Sequence, residues 1–395
     1  MKKRLILLLS LCFVGLSMLQ AQIIDEQGQY VDTVFHDHIN RQAEDFVRVS
    51  LVVAEPGGAL YSIFGHACLH LVCDTFGLDY IFSYESENAA SKLGKFLAGK
   101  LNMGLMAVPF GDYLADYAKD GRAVTEYPLL LPPSVKQELW RILDDYVNQG
   151  IYLPYDYSAR GCAITCVNFV NMAIAPDSIT YAPWTDRQLR TRREMCYDCA
   201  TKDFPWNMWF IMTLVGSEVD KAMPPEEKLI IPSELAQAWS TASIDGEALL
   251  GEAQEVLPST HEPYKAGFTP IMAAILLLVL VVLGWAFRFD YADYVVLVIC
   301  TLLGLLISYL VIFSTLPCTA WNWLLVPFNL LPAIFWHWRK YWGVYYAGVI
   351  GLWLIVMLIL PNRQVDPANI LLAITLAVVL VKQWLLEKRI LTKKN

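Results

Sequence analysis

Five apolar stretches, roughly 267–287, 291–314, 321–338, 343–360 and 367–386, fill the C-terminal part of the chain. Each is long enough, or nearly so, to cross about 30 Å of hydrocarbon. Backbone N–H and C=O groups find no water at that depth, so such stretches must be helical. The third is interrupted by Pro327 and Pro332. Trp321, Trp323, Trp336, Trp338, Tyr341 and Trp342 fall where interfacial aromatic belts belong. Orientation follows from Lys and Arg placement. With residues 22–265 outside, the inner loops carry Arg288, Arg339, Lys340, Lys388, Arg389, Lys393 and Lys394, against Arg363 alone in the outer loops. The expectation is an all-α transmembrane domain over 266–395 with about five helices and a cytoplasmic C-terminus.

The rest of the chain belongs to water. Residues 22–265 hold 18 Lys and Arg against 34 Asp and Glu, whereas residues 266–395 hold 9 against 4. With no basic face to release phosphate counterions, nucleic acid is excluded as a main partner. Residues 1–21 read as a signal peptide: Lys2, Lys3 and Arg4 precede the apolar run Leu5–Leu19, and Ala21 offers a small residue for cleavage. The front domain is therefore expected outside the cytoplasm.

Within it, Val47–Val53 and Ile63–Val72 are strand-like, separated by the turn signature Glu55-Pro56-Gly57-Gly58. Tyr80–Tyr84 and Arg122–Leu131 are further strand candidates, and Lys92–Leu101 reads as a short amphipathic helix. Val135, Leu139, Ile142, Leu143 and Tyr146 repeat at helical spacing after Ser134, and Gly161 leads into an apolar helix over Cys162–Ile174. The expected fold class is α+β over 22–224. Residues 225–265, rich in Pro, Ser and Glu, read as a tether to the membrane.

Of nine cysteines, six lie in the front domain. One reading pairs them in three disulfides of a non-enzymatic envelope protein, Cys196-Tyr-Asp-Cys199 included. No second ligand pair stands at zinc-binding spacing, and neither a metal nor a cofactor is expected. The other reading is nucleophilic. Cys162 opens a helix, where the peptide dipoles favour a thiolate, and Gly161 leaves room for a substrate. A thiolate nucleophile wants an imidazole beside it. His66, Cys68 and His70 share one face of a strand by period two. Cys166, one helical turn on, and His70 remain alternatives to Cys162 and His66. A residue orienting the imidazole is expected on the neighbouring strand, where Ser83 and Glu85 share a face. Arg122 has two readings, a phosphate ligand or an ion-pair partner of Glu126. Arg187, Arg190, Arg192 and Arg193 form a basic cluster that suits either anionic headgroups or a salt-bridged face.

The order of a strand histidine followed by a helix-start cysteine resembles the circularly permuted papain-like (NlpC/P60-related) fold. More closely, Gly58…Phe64-Gly65-His66, the strand carrying Tyr84, Gly121-Arg122, and Tyr155…Gly161-Cys162-Ala163 resemble the periplasmic domain of the Bacteroides-type lipoprotein N-acyltransferases. Trp321-Asn322-Trp323 and Pro327…Asn329…Pro332 are similar to that family's polytopic segment. The resemblance covers nearly the whole mature chain, though many relatives carry Asn-Cys where Gly161-Cys162 stands here. It implies a multi-pass inner-membrane enzyme whose partners are a phospholipid acyl donor, a diacylated lipoprotein acceptor and the bilayer. Cys162 and His66 would be catalytic, and Tyr84, Arg122, Tyr157, Asn322 and Asn329 would contact substrate. The same Cys–His pair also fits a membrane-anchored periplasmic cysteine hydrolase acting on the cell wall.

Overall fold

Alternation of side chains along the strands builds a sheet covered on both faces. The computed structural model describes residues 44–85, 92–156, 161–175, 178–183, 190–200, 203–221, 229–260, 267–360 and 365–394. The expected signal peptide and Tyr157 lie outside the described residues. The front domain runs β1 (Arg48–Ala54), β2 (His66–Cys73), β3 (Leu78–Glu85), α1 (Leu93–Leu97), β4 (Asn102–Pro109), α2 (Phe110–Lys119), β5 (Val124–Pro128), α3 (Pro133–Gln149), β6 (Tyr152–Pro154) and α4 (Cys162–Ala173). There follow β7 (Ile179–Thr180), α5 (Arg192–Ala200), α6 (Pro205–Leu214), α7 (Pro232–Ser240), β8 (Ser243–Ile244), β9 (Glu247–Ala248) and β10 (Gln254–Leu257). Seven strands pair in the order β10-β5-β1-β2-β3-β4-β6, every neighbour antiparallel.

Val49, Leu51, Ala67, Leu69 and Leu71 face a core closed by Leu139 and Leu143 of α3, Val167 and Val170 of α4, and Trp239 of α7. Val52, Ala54, Cys68 and Ile81 face the other way, onto Tyr113 of α2. Burying each such Val, Leu or Ile side chain contributes about 1.5–3 kcal/mol. Helix α3 starts with Pro133 in its first turn and stops at Gly150, left-handed at φ 59°. Strand β2 starts at His66 and not Ile63, because Ser62–Gly65 close a turn in which Gly65 N–H donates to Ser62 O at 2.9 Å.

The tether expectation is corrected. Leu229, Leu235 and Trp239 are buried in the main core, and β10 pairs with β5 as an edge strand. Proline and serine there are helix-start and turn residues of a folded segment. Pro232, for example, opens α7.

The C-terminal region is mostly helical: α8 (Pro270–Phe287), α9 (Tyr291–Phe313), α10 (Leu325–Phe328), α11 (Leu331–Ile334), α12 (Arg339–Ile359) and α13 (Pro367–Lys394). Among the described residues, four helices are long and apolar enough to cross a membrane. A continuous fifth is not formed. Pro327 and Pro332 lack the N–H that a helix interior requires, and the third stretch breaks into α10 and α11 around Asn329. Asn329 serves the break itself, accepting from Leu331 N–H at 2.9 Å and donating to Val326 O at 3.0 Å. A Cβ on Gly304 would stand 1.6 Å from the Phe328 carbonyl oxygen, so α9 and α10 touch backbone to backbone. The broken stretch begins at Asn322, beside Thr213–Val215, and ends with Trp336, whose ring lies 6.2 Å from that of Tyr294 near the start of α9. Lys382, 1% exposed, donates to Asp293 and Phe289 O and ties α13 to the α8–α9 connection.

The two parts share a buried polar joint. Asn322, 6% exposed, donates to Thr213 O at 2.8 Å and accepts from Leu324 N–H at 2.9 Å. Gly216 N–H donates to Cys318 O at 2.7 Å. Arg193 pairs with Asp220 at 2.5 Å and donates to Gly216 O, while Arg190 pairs with Asp198 and Glu234. Arg190 and Arg193 of the basic cluster are therefore salt-bridged, and Arg187 lies outside the described residues. A methyl on Gly216 would stand 1.7 Å from the Ala320 carbonyl oxygen. Gly216→Ala should therefore cost about 1–3 kcal/mol, read as a lower melting temperature in detergent. Gly111→Ala, in α2 with nothing within 4 Å, should be neutral or stabilising. Equal melting temperatures for the two variants would mean that this joint is not tightly packed.

Candidate active site

Gly65 determines where His66 stands. Its φ is +81°, and a Cβ there would lie 2.6 Å from the Ala54 carbonyl oxygen, so only glycine lets the chain turn into β2 at this point. His66 then faces Ala54 across the β1–β2 ladder, with its side chain 16% exposed. Cys162 arrives from the other side as the first residue of α4, after an extended Gly161. The two side chains are close enough to stabilise each other's charged form, and the backbone N–H groups of Ala67 and Ala163 also favour charge on the sulfur.

Burial opposes charge on both groups. Alone it would push the Cys162 thiol up, but the adjacent His66 cation and the two N–H donors outweigh it. The thiol lies below its ordinary range. For His66, burial pulls down and Arg122 adds to that, yet Cys162 and Glu85 prevail and the imidazole is raised. The arrangement favours a thiolate–imidazolium pair. His66 Nε2 lies 2.7 Å from Ser83 Oγ, and Ser83 Oγ lies 2.5 Å from Glu85 Oε1. A carboxylate only accepts, so Ser83 donates to Glu85 and accepts from His66 Nε2–H. That leaves Nδ1 for the thiol. Glu85 Oε1 is itself 3.7 Å from Nε2, close enough to favour the cation.

The alternative residues occupy different surroundings. Cys166 is buried and its thiol is pushed well up by burial and by Cys68 and Cys162. His70 is held between Glu126 Oε1 and Asp79 Oδ1, both at 2.7 Å, and stacks on Phe110 with centroids 4.0 Å apart. The expected Arg122–Glu126 pair does not form, because Glu126 is committed to His70. Arg122 instead donates from Nε to Glu55 O at 2.6 Å and lies 4.5 Å over the Tyr117 ring. Its Nη2 is buried with no hydrogen-bond partner.

Cys162 and His66 open into a cavity of about 410 Å³. Tyr61, Phe64, Tyr84, Phe96 and Tyr155 supply its aromatic wall, and Arg122 and Glu85 also line it. Tyr155 stacks on Phe96 at 5.5 Å. Of the expected substrate contacts, Tyr84 and Arg122 are brought here. Asn322 and Asn329 are not: Asn322 bonds main-chain groups of the membrane joint, and Asn329 bonds the helix break and the Tyr346 hydroxyl. Sequence reading missed Phe96, Tyr117 and the Ala67 amide, none of which carries a motif. The six cysteines of the front domain, all described, are free thiols, so the three-disulfide framework is not formed. Cys196 and Cys199, half-buried in α5, have thiols pushed up by desolvation to about 12 and about 11. Among the described residues, no group of three or more His, Cys, Asp or Glu is disposed to hold a metal ion.

Residues 36–193 match the family model described as the Lnb N-terminal periplasmic domain, and residues 262–390 match the Lnb transmembrane domain. The chain belongs to the Lnb family. It has that family's two-part architecture, a periplasmic domain joined to membrane-embedded helices, and it is accordingly an inner-membrane protein. This is the lipoprotein N-acyltransferase family that the Phe64-Gly65-His66 and Gly161-Cys162 segments resemble. Nothing among curated proteins and nothing among solved structures matches the chain.

In this Lnb-family protein, iodoacetamide should alkylate Cys162 ahead of Cys166 and Cys68. Because the Cys162 thiol is depressed, its rate should rise with pH below the usual thiol range. His66→Ala should move that rise upward toward an ordinary cysteine, and an unchanged profile would mean that the pair is not electrostatically coupled. His70→Ala should leave Cys162 alkylation unchanged. It strands the buried end of a carboxylate pair, so it should lower stability by about 1–3 kcal/mol, read by thermal melting.

Proposed function

We propose that this protein transfers an acyl chain from a phospholipid to the α-amine of the diacylglyceryl-cysteine of a lipoprotein, through a thioester on Cys162. The observation that carries the reading is a depressed thiol paired with His66, opening into an aromatic cavity within a membrane-anchored periplasmic domain. Cys162 thiolate attacks the ester carbonyl, and the tetrahedral intermediate collapses with loss of the lysophospholipid alkoxide. His66 imidazolium protonates that leaving group. The lipoprotein amine then attacks the thioester and gives its proton to neutral His66, and departure of the thiolate restores the starting pair. Backbone amides at the start of α4 hold the oxyanion in both steps.

Ser83 and Glu85 act on the imidazole, keeping Nδ1 toward sulfur and favouring the protonated ring. Arg122 is the cation for the donor phosphate, a role suited to its unpartnered buried Nη2. Tyr84 lines the acyl-bearing part of the cavity. The broken stretch 321–338 serves as a fifth crossing, since its ends lie beside Thr213 and Tyr294. Five crossings put the C-terminus in the cytoplasm, in line with the basic residues of the inner loops.

The test is mass spectrometry of the N-terminal peptide of an abundant lipoprotein, in cells depleted of their own N-acyltransferase. Wild type should yield three acyl chains. Cys162→Ala should abolish the third and His66→Ala should reduce it by about a hundredfold or more, while Cys166→Ala should retain it. Well-expressed wild type that leaves lipoproteins diacylated would overturn the reading and favour the cell-wall hydrolase. Loss with Cys166→Ala alone would move the nucleophile one turn along α4.

A further inference from the structure

Helix α6, Pro205–Leu214, carries no charged side chain and has 10 residues, too short to span a bilayer. It is tied to both parts of the molecule. Toward the membrane, Trp209 Nε1–H donates to Asn369 Oδ1 at 3.0 Å, and Asn369 donates to Thr213 Oγ1 at 2.8 Å. Asn369 lies at the start of α13 and is fully buried. Leu214 shares a core with Val281 of α8 and Ile307 of α9. Toward the cavity, Asn207 Nδ2–H donates to Gly58 O at 3.0 Å, and Met208 and Met212 share a core with Ile63, three residues before His66.

One side chain of α6 continues the exposed face of the spanning helices. Trp206 is 37% exposed, its indole N–H donates to Phe268 O at 2.7 Å, and the two rings lie 6.2 Å apart. Phe268, Ile271 and Met272 are 50%, 40% and 48% exposed where α8 begins. A tryptophan with its N–H on the main chain and its ring along an apolar band has the form of an interfacial anchor.

We propose that α6 is an interfacial helix, embedded among the phospholipids of the leaflet facing the periplasmic domain, and that it holds the mouth of the Cys162 cavity at the depth of the lipid ester groups. A second tether fits the same role. Ser314 Oγ donates to Leu97 O and Thr315 N–H to Ala98 O at 3.0 Å, next to the cavity residue Phe96. The Gly58–Phe64 wall and the Phe96 wall are thus both fastened to ends of membrane helices. An ester at that depth reaches Cys162 without its lipid leaving the leaflet. This use of the helix rests on the acyl-transfer reading; its contact with lipid does not.

The full chain in phosphatidylethanolamine nanodiscs provides the test. A benzoylphenylalanine photocrosslinker would replace Trp206 in one protein and Phe76 in another. Phe76 is 65% exposed, just beyond the end of β2 farthest from His66. Irradiation should add the mass of a phospholipid at position 206 and not at 76; adducts no more frequent at 206 than at 76 would overturn the proposal. In a second measurement, Trp206→Glu should slow Cys162 acylation by vesicle phospholipid about tenfold or more, with its iodoacetamide rate unchanged. Acylation as fast as wild type would overturn the depth-setting role. Lipid adducts at 206 without any acylation of wild-type Cys162 would sink the acyl-transfer reading and leave the interfacial helix standing.

Discussion

A charged sulfur inside a protein is tolerated only where other charges and donors meet it. Burial at Cys162 works against the thiolate, and the site is the set of parts that reverses that penalty. One is the imidazole of His66, raised in turn by the sulfur it faces. Two are main-chain N–H groups, from Ala67 on β2 and Ala163 on α4. The rest of the domain exists, physically, to bring a strand end and a helix start to one point. Gly65 makes the strand end possible through a left-handed turn, and the packing of α4 on Leu69 and Leu71 fixes the helix start. Ser83 and Glu85 extend the same logic outward, because the hydroxyl between ring and carboxylate can point only one way.

The second constraint is the joint with the membrane helices. Its polar groups are buried and paired: Asn322 with Thr213 and Leu324, Asn369 with Trp209 and Thr213, Arg193 with Asp220. Losing one partner would leave a buried group unsatisfied at about 1–3 kcal/mol, so the joint resists opening. Gly216 against Ala320 and Gly304 against Phe328 add contacts where backbone meets backbone. The cavity inherits this rigidity, since Ile63 and Leu97 pack into the clusters that surround the joint.

Much of this was legible in the chain. Apolar length marked out the membrane helices, and period two put His66, Cys68 and His70 on one face. The helix spacing after Ser134 and the start at Cys162 matched α3 and α4 to within two residues, with Pro132 and not Ser134 at the N-cap of α3. Other elements left no trace. Strand β4 lies between β3 and β6 with only Gly104 and Leu105 buried along it, so it shows no clean alternation. Helix α6 carries no charged residue and no amphipathic period, because its sides pack against both parts of the molecule. Residues 225–265 have the composition of a linker, and only pairing with β5 makes an edge strand of β10.

The division follows the range of the forces. Solvent partition, period and helix-start chemistry are properties of neighbouring residues, so the sequence alone determined which segments leave water, which face of β2 carries histidines and which cysteine begins a helix. Period alone left His66 and His70 equivalent; their different partners depend on which side chains stand opposite each ring. Glu126 and Asp79 capture His70, while Cys162 and Ser83 reach His66. Those partners lie many residues away along the chain, and only the tertiary structure decided them, because electrostatic and hydrogen-bonding energies depend on distances through space.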